Sequence, residues 1–231
     1  RLKRNGAAVT TIPVDGFGQV HLSSLTESLR SATRLVSTMF VNNEIGTVNP
    51  IQEIAACCRK HGSLLHCDAV QAAGRIPIEF ESLGADLLTL SAHKIYGPKG
   101  VGALIVRRDR DRIPLEPLID GGGHEGQLRS GTLPVPLIVG FGKACRIARE
   151  ESAAESIRIA ALRDELWRQL DNGLDGLHLN GHPTERVCGN LNVSFDGVDG
   201  DVLMNAMTEI AVSSGSACTS AEPEPSHVLR A

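Results

Sequence analysis

The sequence has no basic surplus. Its 231 residues hold 23 Lys and Arg against 27 Asp and Glu, a net charge of −4. That leaves no electrostatic footprint for nucleic acid. No apolar run is long enough to cross a bilayer, and the opening "RLKRNG" leads into no signal-peptide core. The six cysteines (Cys57, Cys58, Cys67, Cys145, Cys188 and Cys218) include no C-x-x-C pair. Adjacent Cys57 and Cys58 cannot share a tetrahedral zinc site comfortably, so a zinc reading fails. Scattered thiols fit a reducing compartment, here read as the cytoplasm, and the default for each is a small buried hydrophobe. "DGGGHEG" lacks the strand–glycine–helix context of a nucleotide-binding loop. Internal repeats and low-complexity tracts are absent. Position 1 is not Met, and the final "PSHVLRA" reads as the first turns of a helix with no stop. The chain is therefore expected to be a piece of a longer protein.

What is present is alternation. Hydrophobic residues make up 42% of the chain, enough for a sizeable core. "AAVTTIPV" reads as a strand, and "LSSLTESLRSA" as a helix with Leu22, Leu25 and Leu29 at helical spacing. "RLVSTMFVNN" is again a strand. "PIQEIAACCRKHG" is a helix, with Pro50 near its first turn, Gly62 at its end, and Ile51, Ile54, Ala55 and Cys58 on one face. "SLLHCD", "ADLLTLSA" and "GVGALIVRR" are further strands, the last after a tight turn. This order predicts βαβ units, a largely parallel sheet and the α/β class. From Leu133 the texture changes to a long helical region, with room for one break. "NLNVSF" and "IAVSSGSAC" then read as strands flanking a helix in "GDVLMNAMTE". The expected organisation is a large domain over 1–145 and a smaller α+β domain over 146–231, each incomplete at its outer end.

Three apolar strands end on polar clusters: "VNNEIG" with Asn42, Asn43 and Glu44, "HCDAVQ" with His66, Asp68 and Gln71, and "SAHK" with Ser91, His93 and Lys94. In a parallel sheet all three fall on one rim, where such folds bind ligands. A lysine kept partly buried at a strand end loses pKa and becomes a nucleophile capable of a Schiff base. With an Asp on the same rim to pair a pyridinium nitrogen, the pattern matches how proteins hold pyridoxal phosphate (PLP). Taken singly, each residue has an ordinary reading: Lys94 as a solvated loop charge, Asp68 as a helix N-cap, Asn43 as a turn residue.

"VNNEIGTV", "HCDAVQAAGRIPI", "SAHKIYGPKGVGAL", "GGGHEGQLRSGTLPV" and "VSSGSACTSAEPEPSHVLRA" together closely resemble the NifS/IscS-type cysteine desulfurases, PLP enzymes of the class V aminotransferase family. The resemblance runs over nearly the whole chain in matching order, and "SSGSACTS" is similar to the loop of this group as opposed to the SufS-like one. It implies the fold type I large domain of PLP-dependent transferases and a set of roles. Lys94 matches the lysine that bonds the cofactor, Asp68 the carboxylate on the pyridine nitrogen, and Gln71 the partner of the ring hydroxyl. Ser91 and His93 match phosphate-side ligands, and Asn43 a residue beside the cofactor and the substrate carboxylate. Thr132 matches a residue that reaches the cofactor phosphate of a partner subunit, implying a homodimer. Cys218 matches the catalytic cysteine, in a segment whose Gly, Ser and Pro content fits a loop. The other five cysteines keep the core reading.

The implied reaction takes sulfur from L-cysteine, leaves a persulfide on Cys218 and releases L-alanine. The sulfur then passes to acceptors such as an iron–sulfur scaffold. His66 and His93 are both candidates for proton handling, and His124 is read as a loop histidine. The family's upstream phosphate loop and ring-stacking histidine, and its downstream substrate-binding arginine, have no counterpart within these residues. The alternatives are an inactive or split fragment acting only in dimerisation or partner binding, and a related selenocysteine lyase, against which "SSGSAC" argues.

Overall fold

The computed structural model describes residues 2–108, 113–214 and 226–231. Strands β1 (Leu35–Met39), β2 (Leu64–Asp68), β3 (Leu87–Ser91) and β4 (Gly102–Val106) form one sheet in that order. The first three are parallel and β4 returns antiparallel along β3. The parallel pairs are joined by segments containing α2 (Ile51–His61) and the short α3 (Phe80–Leu83). The reversal at β4 follows from length, because the 10 residues from Ala92 to Val101 hold one turn of 3-10 helix and no crossover helix.

One face of the sheet makes the core. Ile51, Ile54, Ala55 and Cys58 recur at helical spacing along α2 and are buried against Leu65, Cys67 and Leu88. Leu25 of α1 (Leu22–Ser28) packs into the same cluster. Each fully buried Leu or Ile contributes about 1.5–3 kcal/mol of hydrophobic stabilisation. Asp86 is buried at the head of β3, where its carboxylate accepts the Leu65 N–H at 2.8 Å and fixes β3 beside β2. Alternation along β2 sends Leu65 and Cys67 inward and His66 and Asp68 to the other face.

Several expectations need correction. "AAVTTIPV" forms no strand; only Val14 makes a bridge, to Val20. Pro13 has no N–H to give a ladder, and Asp15 turns the chain at once by accepting from the Phe17 and Gln19 N–H groups. The long helical region is one unbroken helix, α4 (Val135–Gly173), 39 residues or roughly 58 Å. It runs straight across residue 145. A strand the pattern did not reveal, β5 (Leu177–Asn180), pairs antiparallel with β6 (Asn192–Phe195). Helix α5 (Gly200–Ala206) follows, capped by Asp199. Ile210–Ser214 is not a strand, and the rest of "IAVSSGSAC" lies outside the described residues. The chain ends in α6 (His227–Arg230) with Ser226 as its N-cap.

Candidate active site

Met39 and Asp68, the last residues of β1 and β2, lie in register with Thr89, two residues before the end of β3. The polar clusters that follow these strands therefore share one rim, as parallel pairing requires. β4 begins at the same rim, with Gly102 opposite Ser91.

Asp68 is half-buried. Its Oδ1 accepts the Val70 N–H at 3.0 Å, which fixes the carboxylate, and its other oxygen has no partner among the described residues. The backbone around it is held on both sides: Phe40 N–H donates to the Asp68 carbonyl at 2.8 Å, and Ala69 N–H to that of Thr89 at 3.1 Å.

Lys94 sits in a single 3-10 turn, Ala92–Ile95. Ala92 and Ile95 are buried against Phe141 and Ala144 of α4. That packing leaves His93 exposed and Lys94 half-buried. The Lys94 amine makes no hydrogen bond or ion pair with any described residue. Ser91 Oγ lies 2.8 Å from His93 Nδ1, a hydroxyl and an imidazole paired at the strand end. The turn closes through Tyr96, whose φ of 62° is unusual for an aromatic residue, and through Gly97 N–H donating to the Ala92 carbonyl at 2.9 Å. At Gly102 an added Cβ would stand 2.6 Å from the Leu90 carbonyl oxygen. Only glycine lets β4 lie this close beneath Ser91.

Around this pair, Gln71 is engaged by Arg75, whose Nη1 donates to the Gln71 carbonyl at 3.0 Å and to Oε1 at 3.2 Å. Asn42 Oδ1 accepts from the Glu44 and Ile45 N–H groups at 2.8 and 3.1 Å and shapes the loop. Asn43 is half-buried with its amide unpaired among the described residues. Thr132 is exposed in the segment before α4, next to buried Ser130, and bonds to no described residue. Cys218 lies outside the described residues.

His66 shares a sheet face with Asp68, and its Nδ1 lies 2.8 Å from Ser37 Oγ. Burial lowers its pKa below the usual histidine value, with Asp68 pulling the other way. Burial also pushes the Cys58 thiol up to about 11 and that of Cys67 up to about 12, with smaller contributions from Cys57 and Asp86 and from Asp68. Cys145 is raised by burial as well. Cys58 and Cys67 are poor thiolates, as buried core cysteines should be; the core reading does not hold for Cys145, which is exposed, and Cys57 and Cys188 are only half-buried.

Groups that no sequence motif marks hold the rim from the other side. Asn190 and Asn192 donate to the Glu44 carbonyl at 2.8 and 3.2 Å, and Arg186 donates to that of Ile45 at 3.0 Å. The only signal was Asn and Arg clustered around β6, which turn chemistry explains equally well.

An unpaired lysine amine, a carboxylate with one oxygen tied and one open, and a hydroxyl–imidazole pair on adjacent strand ends fit PLP. With a mainly parallel sheet flanked by helices, they define a fold type I protein of the PLP-dependent transferase kind. The chain belongs to the class-V aminotransferase family, whose model matches residues 1–231. It is 56% identical over 230 residues to cysteine desulfurase IscS of Anaeromyxobacter sp. (strain Fw109-5), covering all of this chain and 57% of that protein. Among solved structures, a NifS-like protein superposes with a TM-score of 0.83 at 40% identity, over 88% of this chain and 55% of that one. SspA in complex with cysteine superposes at 0.82 with 34% identity, over 99% of this chain and 63% of that one. The chain thus spans a little over half the length of its curated relatives.

Proposed function

We propose that this chain is part of a PLP-dependent cysteine desulfurase. The observation that carries the reading is the unpaired Lys94 one strand away from the fixed carboxylate of Asp68. Relatives named cysteine desulfurase supply the reaction. When bound, PLP supplies an electron sink for charge developing at the substrate carbon.

Lys94 would hold the cofactor, and its amine is the group that would move the substrate Cα proton. Asp68 sits on the pyridine nitrogen and favours its protonated form. Gln71 meets the ring hydroxyl, Ser91 and His93 meet the phosphate, and Asn43 stands beside the cofactor and the substrate carboxylate. Cys218, as thiolate, attacks the substrate sulfur. An S–S bond forms and the substrate Cβ–S bond breaks. The carbon keeps the electron pair and takes a proton, so L-alanine leaves and Cys218 holds a persulfide. The sulfur then passes to an acceptor protein of iron–sulfur assembly or thiolation.

The working unit is a homodimer in which Thr132 reaches the partner's phosphate site, and the compartment is the cytoplasm. Among the described residues no helix is long and apolar enough to cross a membrane. Residues 1–145 form the cofactor unit and 146–231 the smaller unit, with α4 belonging to both.

The test is alanine release from L-cysteine in the presence of PLP and a thiol reductant, with the Cys218 peptide weighed for one added sulfur in a parallel sample without the reductant. The unsubstituted protein should give both products. Cys218→Ala and Lys94→Ala should give neither. Alanine release that persists in Cys218→Ala overturns the mechanism.

A further inference from the structure

Residues 69–76, between Asp68 and α3, turn helically: the Ala73 N–H donates to the Ala69 carbonyl at 3.0 Å and the Ile76 N–H to that of Ala72 at 2.9 Å. Gln71 and Arg75, four positions apart, therefore lie on one side of this segment. Both are half-buried. The segment is fastened at two points. The Ser156 hydroxyl of α4 donates to the Arg75 carbonyl at 3.1 Å. An added Cβ at Gly74 would stand 3.1 Å from Ile95, in the turn that carries Lys94, and 3.5 Å from Ala148 of α4. The Arg75 backbone is thus held against both the lysine turn and the long helix.

A glutamine amide has two ends: its oxygen accepts and its NH2 donates. Which end faces which way is set by its neighbours, and here the neighbour is Arg75. A guanidinium carries donors and no acceptor, so the end of the Gln71 side chain that meets Nη1 at 3.2 Å is the oxygen, Oε1. The same Nη1 donates to the Gln71 carbonyl at 3.0 Å, which ties the guanidinium to the base of the side chain it orients. The Gln71 NH2 has no partner among the described residues.

We propose that Arg75 is a positioning residue that holds the Gln71 oxygen and so leaves only the NH2 to face the ring hydroxyl of PLP. This rests on the placing of Gln71 at that hydroxyl under the function proposed above. The consequence follows from the sign of the bond. A donor at the ring oxygen favours its deprotonated, negatively charged form, whereas an acceptor favours the protonated one. Acting through Gln71, Arg75 lowers the pH at which the bound cofactor gives up its proton.

The test follows the visible absorbance of the PLP-loaded protein against pH. Gln71→Met removes the donor and should raise the titration midpoint by about one pH unit, the scale of one hydrogen bond to a charged group. Arg75→Met frees the amide to turn and should raise the midpoint in the same direction by no more than that. The double variant should match Gln71→Met alone, because Arg75 acts through the amide. Arg75→Lys, which keeps a donor for Oε1, should stay near the unsubstituted midpoint. The titratable neighbours on the rim, His66, Asp68, His93 and Lys94, are common to all four variants, so differences among them belong to the amide and the guanidinium.

Melting temperature separates orientation from support. The bond to the Gln71 carbonyl does not depend on the Gln71 side chain. A loss of stability on Arg75→Met should therefore recur in the Gln71→Met background, whereas its midpoint shift should not. A midpoint that Arg75→Met leaves unchanged or lowers, a further rise in the double variant, or failure of Arg75→Lys to restore the midpoint would each overturn the proposal; a further rise is the mark of the guanidinium charge acting directly. If Gln71→Met leaves the midpoint unchanged while alanine is still released from L-cysteine, the positioning role falls and the desulfurase reading stands. If the midpoints follow the expected pattern while the unsubstituted protein releases no alanine, the positioning role stands and only the desulfurase reading falls.

Discussion

Asp68 on β2 stands opposite Thr89 on β3, and this pairing sets the carboxylate one strand away from the turn that carries Lys94. The carboxylate is oriented by the Val70 N–H. Asp68→Asn keeps an oxygen for that bond and removes the charge, so the fold should survive with an unchanged melting temperature. PLP affinity, followed by cofactor absorbance, and alanine release should each fall roughly 10- to 100-fold, the scale of a lost hydrogen bond to a charged group. Binding and turnover equal to those of the unsubstituted protein would remove Asp68 from the site.

The close approach of β4 to β3 gives a stability prediction. Gly102→Ala puts a methyl 2.6 Å from a backbone oxygen that cannot swing away. Overpacking of this kind costs about 1–3 kcal/mol, a drop of roughly 2–12 °C in melting temperature for a chain of this size. Ser91 pairs with Gly102, so PLP affinity should fall as well. Gly142→Ala is the control. It lies on an exposed turn of α4 with nothing within 4 Å of the new methyl, and alanine favours a helix over glycine by up to about 1 kcal/mol. Equal melting curves for the two variants would refute the argument from close packing.

Thiol chemistry separates the core cysteines from the rest. With pKa values near 11 and 12, Cys58 and Cys67 hold about a thousandth and a ten-thousandth of their thiol as thiolate at about pH 8. Both are also 1% exposed or less. Iodoacetamide applied to the native protein should leave their peptides unmodified until a denaturant is added. Labelling of Cys67 in the native state would show that the α2 face of the sheet opens readily.

The rim was legible because its signal is local. A run of apolar residues that stops on polar ones marks a strand end, and parallel pairing then gathers all such ends on one side. The sheet's helices were legible for the same reason, with Ile51, Ile54, Ala55 and Cys58 spelling out the buried face of α2. Direction was harder. Nothing in "GVGALIVRR" says that β4 runs backwards; that comes from the shortness of the link before it. "LHLN" was missed because four alternating residues form a strand only when β6 arrives to pair with them. "AAVTTIPV" failed in the opposite sense, with strand-like composition and only the single Val14–Val20 bridge beside it. The clamp on Glu44 joins residues 146 and 148 positions apart, and no window along the chain can contain such a contact.

His66 provides a pH test with a definite sign. Burial holds its folded pKa below the ordinary value of 6.5, and Asp68 offsets part of that. Between the two values the unfolded chain binds more protons at this site than the folded one. Stability contributed by neutral His66 is therefore complete above about pH 6.5 and is lost as the pH falls through the window beneath it. His66→Gln cannot take up a proton, yet still offers Ser37 an acceptor. Its melting temperature should fall less between about pH 7 and pH 5.5 than that of the unsubstituted protein. The two should differ little in slope above pH 7. An equal fall in both proteins would mean that His66 is protonated as easily in the folded sheet as in water, and that the imidazole beside Asp68 is open to solvent.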